Sequence, residues 1–252
     1  MALQLSVIII TKNEEINIRE CLESVSFANE IIVVDSGSND NTVSICREFT
    51  DKVYVHDWPG YGLQKNRALS YASNDWVLSI DADERVTPEL QQSITAVIHN
   101  ITDIQAYCIS RRSSYCGRFI SHSGWHPDYV TRLFQRKHGQ FSNDLVHERV
   151  LVDGATKKID GILLHYTYDN LEEVLNKVNQ YSSAGAKILF HRRKEATLMK
   201  AILKGLWCFF RTYFLRAGFL DGPEGFMLSF SNAETTYYRY LKLRWLTKNK
   251  KA

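Results

Sequence analysis

Two carboxylates stand two residues apart at the end of an apolar run, Trp76-Val77-Leu78-Ser79-Ile80-Asp81-Ala82-Asp83-Glu84-Arg85. Such a run reads as a buried strand whose C-terminal end carries acid into a cleft. A hard divalent cation such as Mg²⁺ or Mn²⁺ takes oxygen ligands and is often held by one or two carboxylates together with substrate phosphates. If it also touches a diphosphate leaving group, it neutralises the charge that develops there. The competing reading makes Asp81 and Asp83 caps for the helix that starts near Thr87-Pro88-Glu89. Asp-x-Asp is a short motif, so the remainder of the chain has to decide between the two.

The elements that would position this pair repeat along the N-terminal half. Residues 5–10 form a β-branched run typical of a central parallel strand, followed by Thr11-Lys12-Asn13-Glu14-Glu15 and by Ile16, Ile18, Cys21, Leu22 and Val25 at helical spacing. Residues 30–35 are a second strand, 36–40 a turn rich in helix-capping residues, and 41–49 a second helix. Residues 52–56 are a third strand, 64–72 a third helix, and the acidic stretch is the fourth strand. Strands alternating with short helices predict an α/β fold with a doubly wound, mainly parallel sheet, right-handed crossovers and a site at the carboxyl ends of the strands. Three polar clusters then fall on one edge, at residues 11–14, 35–40 and 81–83. Neither G-x-G-x-x-G nor G-x-x-x-x-G-K-[ST] occurs, which disfavours a dinucleotide fold and a P-loop.

Composition bounds the function classes. With 252 residues, 44% apolar and 23% charged, the chain is a folded protein rather than a disordered one. A net charge of +3 is too small to imply nucleic acid, although from residue 187 onward 14 Lys and Arg face 4 Asp and Glu. The five cysteines are scattered without C-x-x-C, so neither a disulfide framework nor a zinc site is indicated and a reducing cytosol fits. The N-terminus lacks the pattern of a signal peptide, and no uncharged apolar window is long enough for a spanning helix.

The stretches 7–15 and 33–42 and the Asp81-Ala82-Asp83 motif, in that order and spacing, resemble the family 2 glycosyltransferases of GT-A fold. The resemblance implies that Thr11 and Glu14 border the base and ribose of a nucleotide and that Asp35 binds uracil or its ribose. It places Asp81 near ribose and metal, with Asp83 ligating the divalent metal that bridges the diphosphate of a UDP-sugar. Residues 64–68 match the family's helix start, with Gln64 beside the nucleotide and Arg67 as a diphosphate or carboxylate partner, since a guanidinium binds either bidentately. Against these stand structural readings: Asp35 and Asp40 as turn and cap residues, Glu14 as a helix N-terminal charge, Arg67 as a surface ion pair.

Beyond the motif, residues 88–98 read as a helix with Leu90, Ile94, Val97 and Ile98 inward, 106–110 as a strand, and 111–125 as a polar loop. In GT-A enzymes this half builds the acceptor side, where Tyr115 and Trp125 are candidates for stacking on a sugar or for core packing. Residues 129–134 alternate as a strand, and Asp153-Gly154 reads as a hairpin turn. Inverting transfer needs a group to take the acceptor hydroxyl proton. Many family members use an Asp of a Glu-Asp pair here; this chain has Val146-His147-Glu148 instead. Glu148 is the expected base, His147 its rival or orienting neighbour, and Asp144 a third candidate; the structural alternative pairs Glu148 with Arg132 or Arg149. A late histidine completes the metal or diphosphate site in several GT-A enzymes, which makes His165 a second-tier ligand, with a hydrogen-bonded structural histidine as the alternative.

The last third turns helical, and residues 198–220 mix large apolar and basic side chains without acid, a composition suited to the face of an anionic membrane or to a packed or dimeric interface. With the Val-His-Glu and Leu-His-Tyr stretches, this tail resembles bacterial lipopolysaccharide core biosynthesis β-1,4-glucosyltransferases. The expectation is therefore a GT-A domain over residues 1–168 and a helical, basic, amphipathic C-terminal extension over 169–252. The activity implied is metal-dependent inverting transfer of a sugar, glucose by preference, from a UDP-sugar to a lipid-linked saccharide acceptor, at the inner face of the cytoplasmic membrane. Peripheral membrane contact is expected, nucleic acid is not, and no oligomeric state is specified. The alternatives are a sugar nucleotidyltransferase, which would need a glycine-rich basic loop where residues 11–15 stand, and a non-catalytic nucleotide-sugar-binding or membrane scaffold module.

Overall fold

The protein is described by a computed structural model covering residues 4–100, 103–142 and 148–251. Strands β1 (Leu5–Thr11) and β2 (Glu30–Asp35) are buried almost throughout, as a parallel sheet covered on both faces requires. Between them lies α1 (Ile18–Ser24); α2 (Thr42–Arg47), β3 (Val53–Val55), α3 (Tyr61–Tyr71) and β4 (Trp76–Asp81) follow. Alternation along β1 divides the core: Val7 and Ile9 pack with Ile18, Cys21 and Leu22 on one face, and Ile8 packs with Ala68, Ala72 and Val77 on the other. Helices thus cover both faces, the doubly wound arrangement expected from the alternating pattern.

The chain continues through β5 (Glu84–Val86), α4 (Pro88–His99), β6 (Ile104–Tyr115), β7 (Arg118–Phe119), β8 (Asp128–Gln135), β9 (Gly139–Phe141), β10 (Val150–Val152) and β11 (Ala155–His165). The main sheet has the order β3-β2-β1-β4-β8-β6-β11-β5. Its first four strands are parallel, and β8 joins β4 antiparallel, as β6 joins β8 and β5 joins β11. The predicted hairpin at Asp153-Gly154 is not formed as a two-strand unit: β10 pairs with β9, and Gly154, at φ +134°, passes the chain on to β11.

Thr87 settles the capping question. Its hydroxyl accepts from the Leu90 N–H and Pro88 occupies the first turn of α4, so Asp81 and Asp83 are not the caps of that helix.

Two compact units are formed, one of residues 1–111 and 128–165, the other of residues 112–127 and 166–252. Residues 112–127 therefore belong with the C-terminal helices, whereas sequence texture alone groups them with the first unit. Within the second unit, α5 (Leu171–His191), α6 (Leu198–Phe210), a π turn over Arg211–Leu215, a 3-10 turn over Gly218–Asp221 and α7 (Gly222–Lys251) succeed one another. Tyr115 is buried against Ile120, Val174, Val178 and Leu228, with its hydroxyl 2.9 Å from Ser231 Oγ, and Trp125 packs edge-on to it. Tyr115 is a core residue, not a sugar platform.

Candidate functional site

Parallel register brings three of the polar clusters to one edge. Thr11 lies opposite Asp35, and Ile10 opposite Asp81, so the ends of β1, β2 and β4 are level. Thr11 Oγ1 is buried and has no hydrogen-bond partner among the described residues, an uncommon state for a hydroxyl.

Asp35 is fully buried and organises the loop that follows it. Its Oδ2 accepts the N–H groups of Gly37 and Ser38, each at 2.8 Å, and its Oδ1 accepts the Ser38 hydroxyl at 2.5 Å. Gly37, at φ +79°, makes that tight turn possible. The turn role given to Asp35 as the structural reading is therefore present in full. Glu14 donates its N–H to Thr42 Oγ1 at 2.8 Å, and its carboxylate accepts from Asn17 Nδ2 at 3.1 Å. Burial pushes its carboxyl upward against the Asn17 hydrogen bond, and the charges of Asp83 and Asp40 push the same way.

Gln64 is buried on α3, donating to Ser36 Oγ at 3.0 Å and accepting from Arg67 at 2.8 Å. Arg67 spends the rest of its guanidinium on the Asp57 carbonyl and carboxylate, both at 3.1 Å. That is the ion-pair reading of Arg67; the residue ties α3 to its preceding loop.

Two cations, Lys65 and Arg132, pair with Asp81. Lys65 Nζ stands 2.8 Å from Asp81 Oδ1 and 2.8 Å from Glu148 Oε1, with its side chain only 4% exposed. Arg132, on β8, reaches Asp81 Oδ2 at 2.5 Å and the fully buried Glu84 at 2.6 Å. Arg111 continues the chain of charges, 3.4 Å from Glu84 and 2.7 Å from Asp128. Burial alone would raise the Asp81 carboxyl; the adjacent Arg132 and Lys65 cations overcome it and hold the group well below the usual carboxylate range. Glu148 pairs with Lys65, not with the Arg132 or Arg149 weighed from sequence. Lys65 escaped the sequence reading although it adjoins Gln64, because only the fold shows which neighbours it faces.

Asp83 is differently placed. Its Oδ2 lies 3.3 Å from His165 Nε2, while its Oδ1 is buried with no hydrogen-bond partner among the described residues. Antiparallel pairing of β11 with β5 sets His165 opposite Glu84, which explains how a residue so far along the chain reaches the motif. Among the described residues no group of three or more His, Cys, Asp or Glu side chains is gathered as a metal cage. A carboxylate with an unspent oxygen beside an imidazole is nonetheless a fitting partial set for Mg²⁺ or Mn²⁺, whose remaining ligands are commonly phosphate oxygens and water. His147 and Asp144, the other candidate proton acceptors, lie outside the described residues.

Comparison with known proteins bears on this geometry. The family described as "Glycosyl transferase family 2" matches residues 6–158. An uncharacterized glycosyltransferase of Rickettsia prowazekii is 35% identical over 256 residues, covering 97% of this chain and 88% of its own. The lipopolysaccharide core biosynthesis glycosyltransferase LpsC of Rhizobium meliloti is 30% identical over 262 residues, covering 96% and 95%. Among solved structures, glucosyl-3-phosphoglycerate synthase from Mycobacterium tuberculosis, in complex with Mn²⁺, UDP-glucose and phosphoglyceric acid, is similar at 27% identity with a TM-score of 0.38. That match spans 43% of each chain.

Proposed function

Because the chain belongs to glycosyl transferase family 2 and has the mixed sheet of a GT-A fold, we propose that it transfers a sugar, glucose by preference, from a UDP-sugar to a saccharide acceptor with inversion at the anomeric carbon. The observation that carries this reading is Asp83: beside His165 it keeps a carboxylate oxygen with no hydrogen-bond partner among the described residues, and the buried Thr11 hydroxyl is in the same state. In it, Thr11, Glu14 and the loop shaped by Asp35 and Gln64 border the nucleoside. Asp83 and His165 are the residues that would hold a divalent cation, while Asp81, paired with Lys65 and Arg132, borders the ribose and the metal. When bound, that cation would neutralise charge on the diphosphate.

The remaining work falls to the chain's own side chains. Glu148 accepts the proton of the acceptor hydroxyl as that oxygen bonds to the anomeric carbon; the bond from that carbon to the β-phosphate oxygen breaks, and the electron pair leaves on UDP. Lys65 fixes Glu148 and Asp81 to one nitrogen, which keeps the proton acceptor and the acidic motif in a set relation. The relative named for lipopolysaccharide core biosynthesis supports a core saccharide as acceptor; in the same reading that acceptor is lipid-linked and the transfer takes place at the inner face of the cytoplasmic membrane.

The test is product identity. Purified protein with Mn²⁺ and UDP-glucose should release UDP and pass the sugar to core saccharide with inverted configuration by NMR. Formation of UDP-sugar from sugar phosphate and UTP would instead make it a nucleotidyltransferase, and inertness toward every UDP-sugar would leave a binding module.

A further inference from the structure

Helix α6 is turned inside out. Its buried line is Ala201, Gly205 and Cys208, continued by Thr212, all small. The large apolar residues Leu198, Met199, Leu203, Leu206, Trp207 and Phe210 are exposed, Leu206 at 64% and Trp207 at 53%. At 3.6 residues per turn five of these, Met199, Leu203, Leu206, Trp207 and Phe210, fall within about 100° of the circumference opposite the small line, and Leu198 stands at the border of that line. A helix at a water-facing surface shows the reverse arrangement. The small line exists because α6 lies close to α7: a Cβ on Gly205 would sit 3.2 Å from Tyr237 Cβ and 3.4 Å from the Ala233 carbonyl. What the helix buries is thus set by close approach, and the apolar mass is left outward.

Charge selects what covers it. Between residues 196 and 220 there is no Asp or Glu, and Lys200, Lys204, Arg211 and Arg216 are all exposed. The next acid, Asp221, is buried and occupied by the N–H groups of Ser121 and His122. A second copy docked symmetrically through this face would press two basic rims together, whereas anionic headgroups would neutralise them and aromatic side chains settle at the acyl boundary. No helix among the described residues is long and apolar enough to cross a membrane.

We propose that the outer face of α6, with the turn that follows it, lies in the headgroup region of an anionic bilayer as an interfacial helix. This deepens the function above, resting on it for the lipid-linked acceptor, and its test does not depend on catalysis. Full-length protein is sedimented with vesicles of phosphatidylglycerol and phosphatidylethanolamine, and with phosphatidylcholine alone. Wild type should bind the anionic vesicles and lose binding as salt rises. Leu206→Glu with Trp207→Glu should weaken binding about tenfold or more, and Lys204→Glu with Arg211→Glu should weaken it and flatten the salt dependence. All four positions are exposed, so both variants should keep the wild-type circular dichroism and release of UDP from UDP-sugar. Equal binding to both vesicle types, undiminished binding by the Leu206/Trp207 variant, or a dimer by light scattering that this variant dissociates would overturn the proposal. Vesicle binding without any UDP-sugar turnover would sustain it while removing the transferase mechanism.

Discussion

Lys65 and Glu148, 83 residues apart in the chain, meet at 2.8 Å, and the same ammonium reaches Asp81 at the same distance. A nearly buried cation with two carboxylates makes each of them dependent on it. Lys65→Met should destabilise the fold by about 3 kcal/mol or more, since it takes the ammonium from Glu148 and leaves Asp81 with Arg132 alone. The urea midpoint measures this, and an unchanged midpoint would show that the pair contributes nothing.

Glu148→Gln separates fold from chemistry. The amide oxygen still accepts from Lys65, so unfolding should stay near wild type and UDP affinity should persist. Turnover should fall by about 10²–10⁴-fold because the amide cannot take a proton. Single-turnover kinetics at saturating donor is the measurement, and full activity would move the role to another group.

Asp83→Ala should abolish Mn²⁺ binding in the presence of UDP, while His165→Ala should weaken it by about 10–100-fold. Titration calorimetry reads both without catalysis. Retention of tight Mn²⁺ binding by the Asp83 variant would remove that residue from the metal site.

At the other end of the sheet, Glu30 receives Ser6, Lys52 and Ser73. Burial works to raise its carboxyl, but these donors prevail and bring it from 4.5 down to about 2. Since the folded value is the lower one, the group favours the folded state at pH above the unfolded value, and the contribution is lost as pH falls from 4.5 through about 2. Glu30→Gln should therefore flatten the acid limb of the stability curve, followed by urea midpoints at several pH values. An identical limb in wild type and variant would count against it.

Gly161→Ala tests a close approach. Gly161 has φ +96°, and a Cβ there would stand 2.5 Å from the Leu90 Cα. Backbone strain and a clash with main chain add, so a loss of about 3 kcal/mol or more is expected. A thermal midpoint within a degree or so of wild type would contradict this packing.

The edge on which Thr11, Asp35, Asp81 and Asp83 gather was legible in the residues themselves, because strand period, parallel order and the carboxyl-end rule are local or topological properties. The family was legible for the same reason: its motifs are contiguous stretches. Partner choice was not. Lys65 faces Asp81 and Glu148, and Arg132 faces Asp81 and Glu84, only after elements distant in sequence meet, and no spacing rule encodes such encounters; His165 was placed with Asp83 by the family resemblance, not by spacing. The same division holds in α6. Its sequence declares an amphipathic helix, but periodicity cannot say which face turns inward; Gly205 against Tyr237 decides that, since close helix contact favours small side chains over large ones.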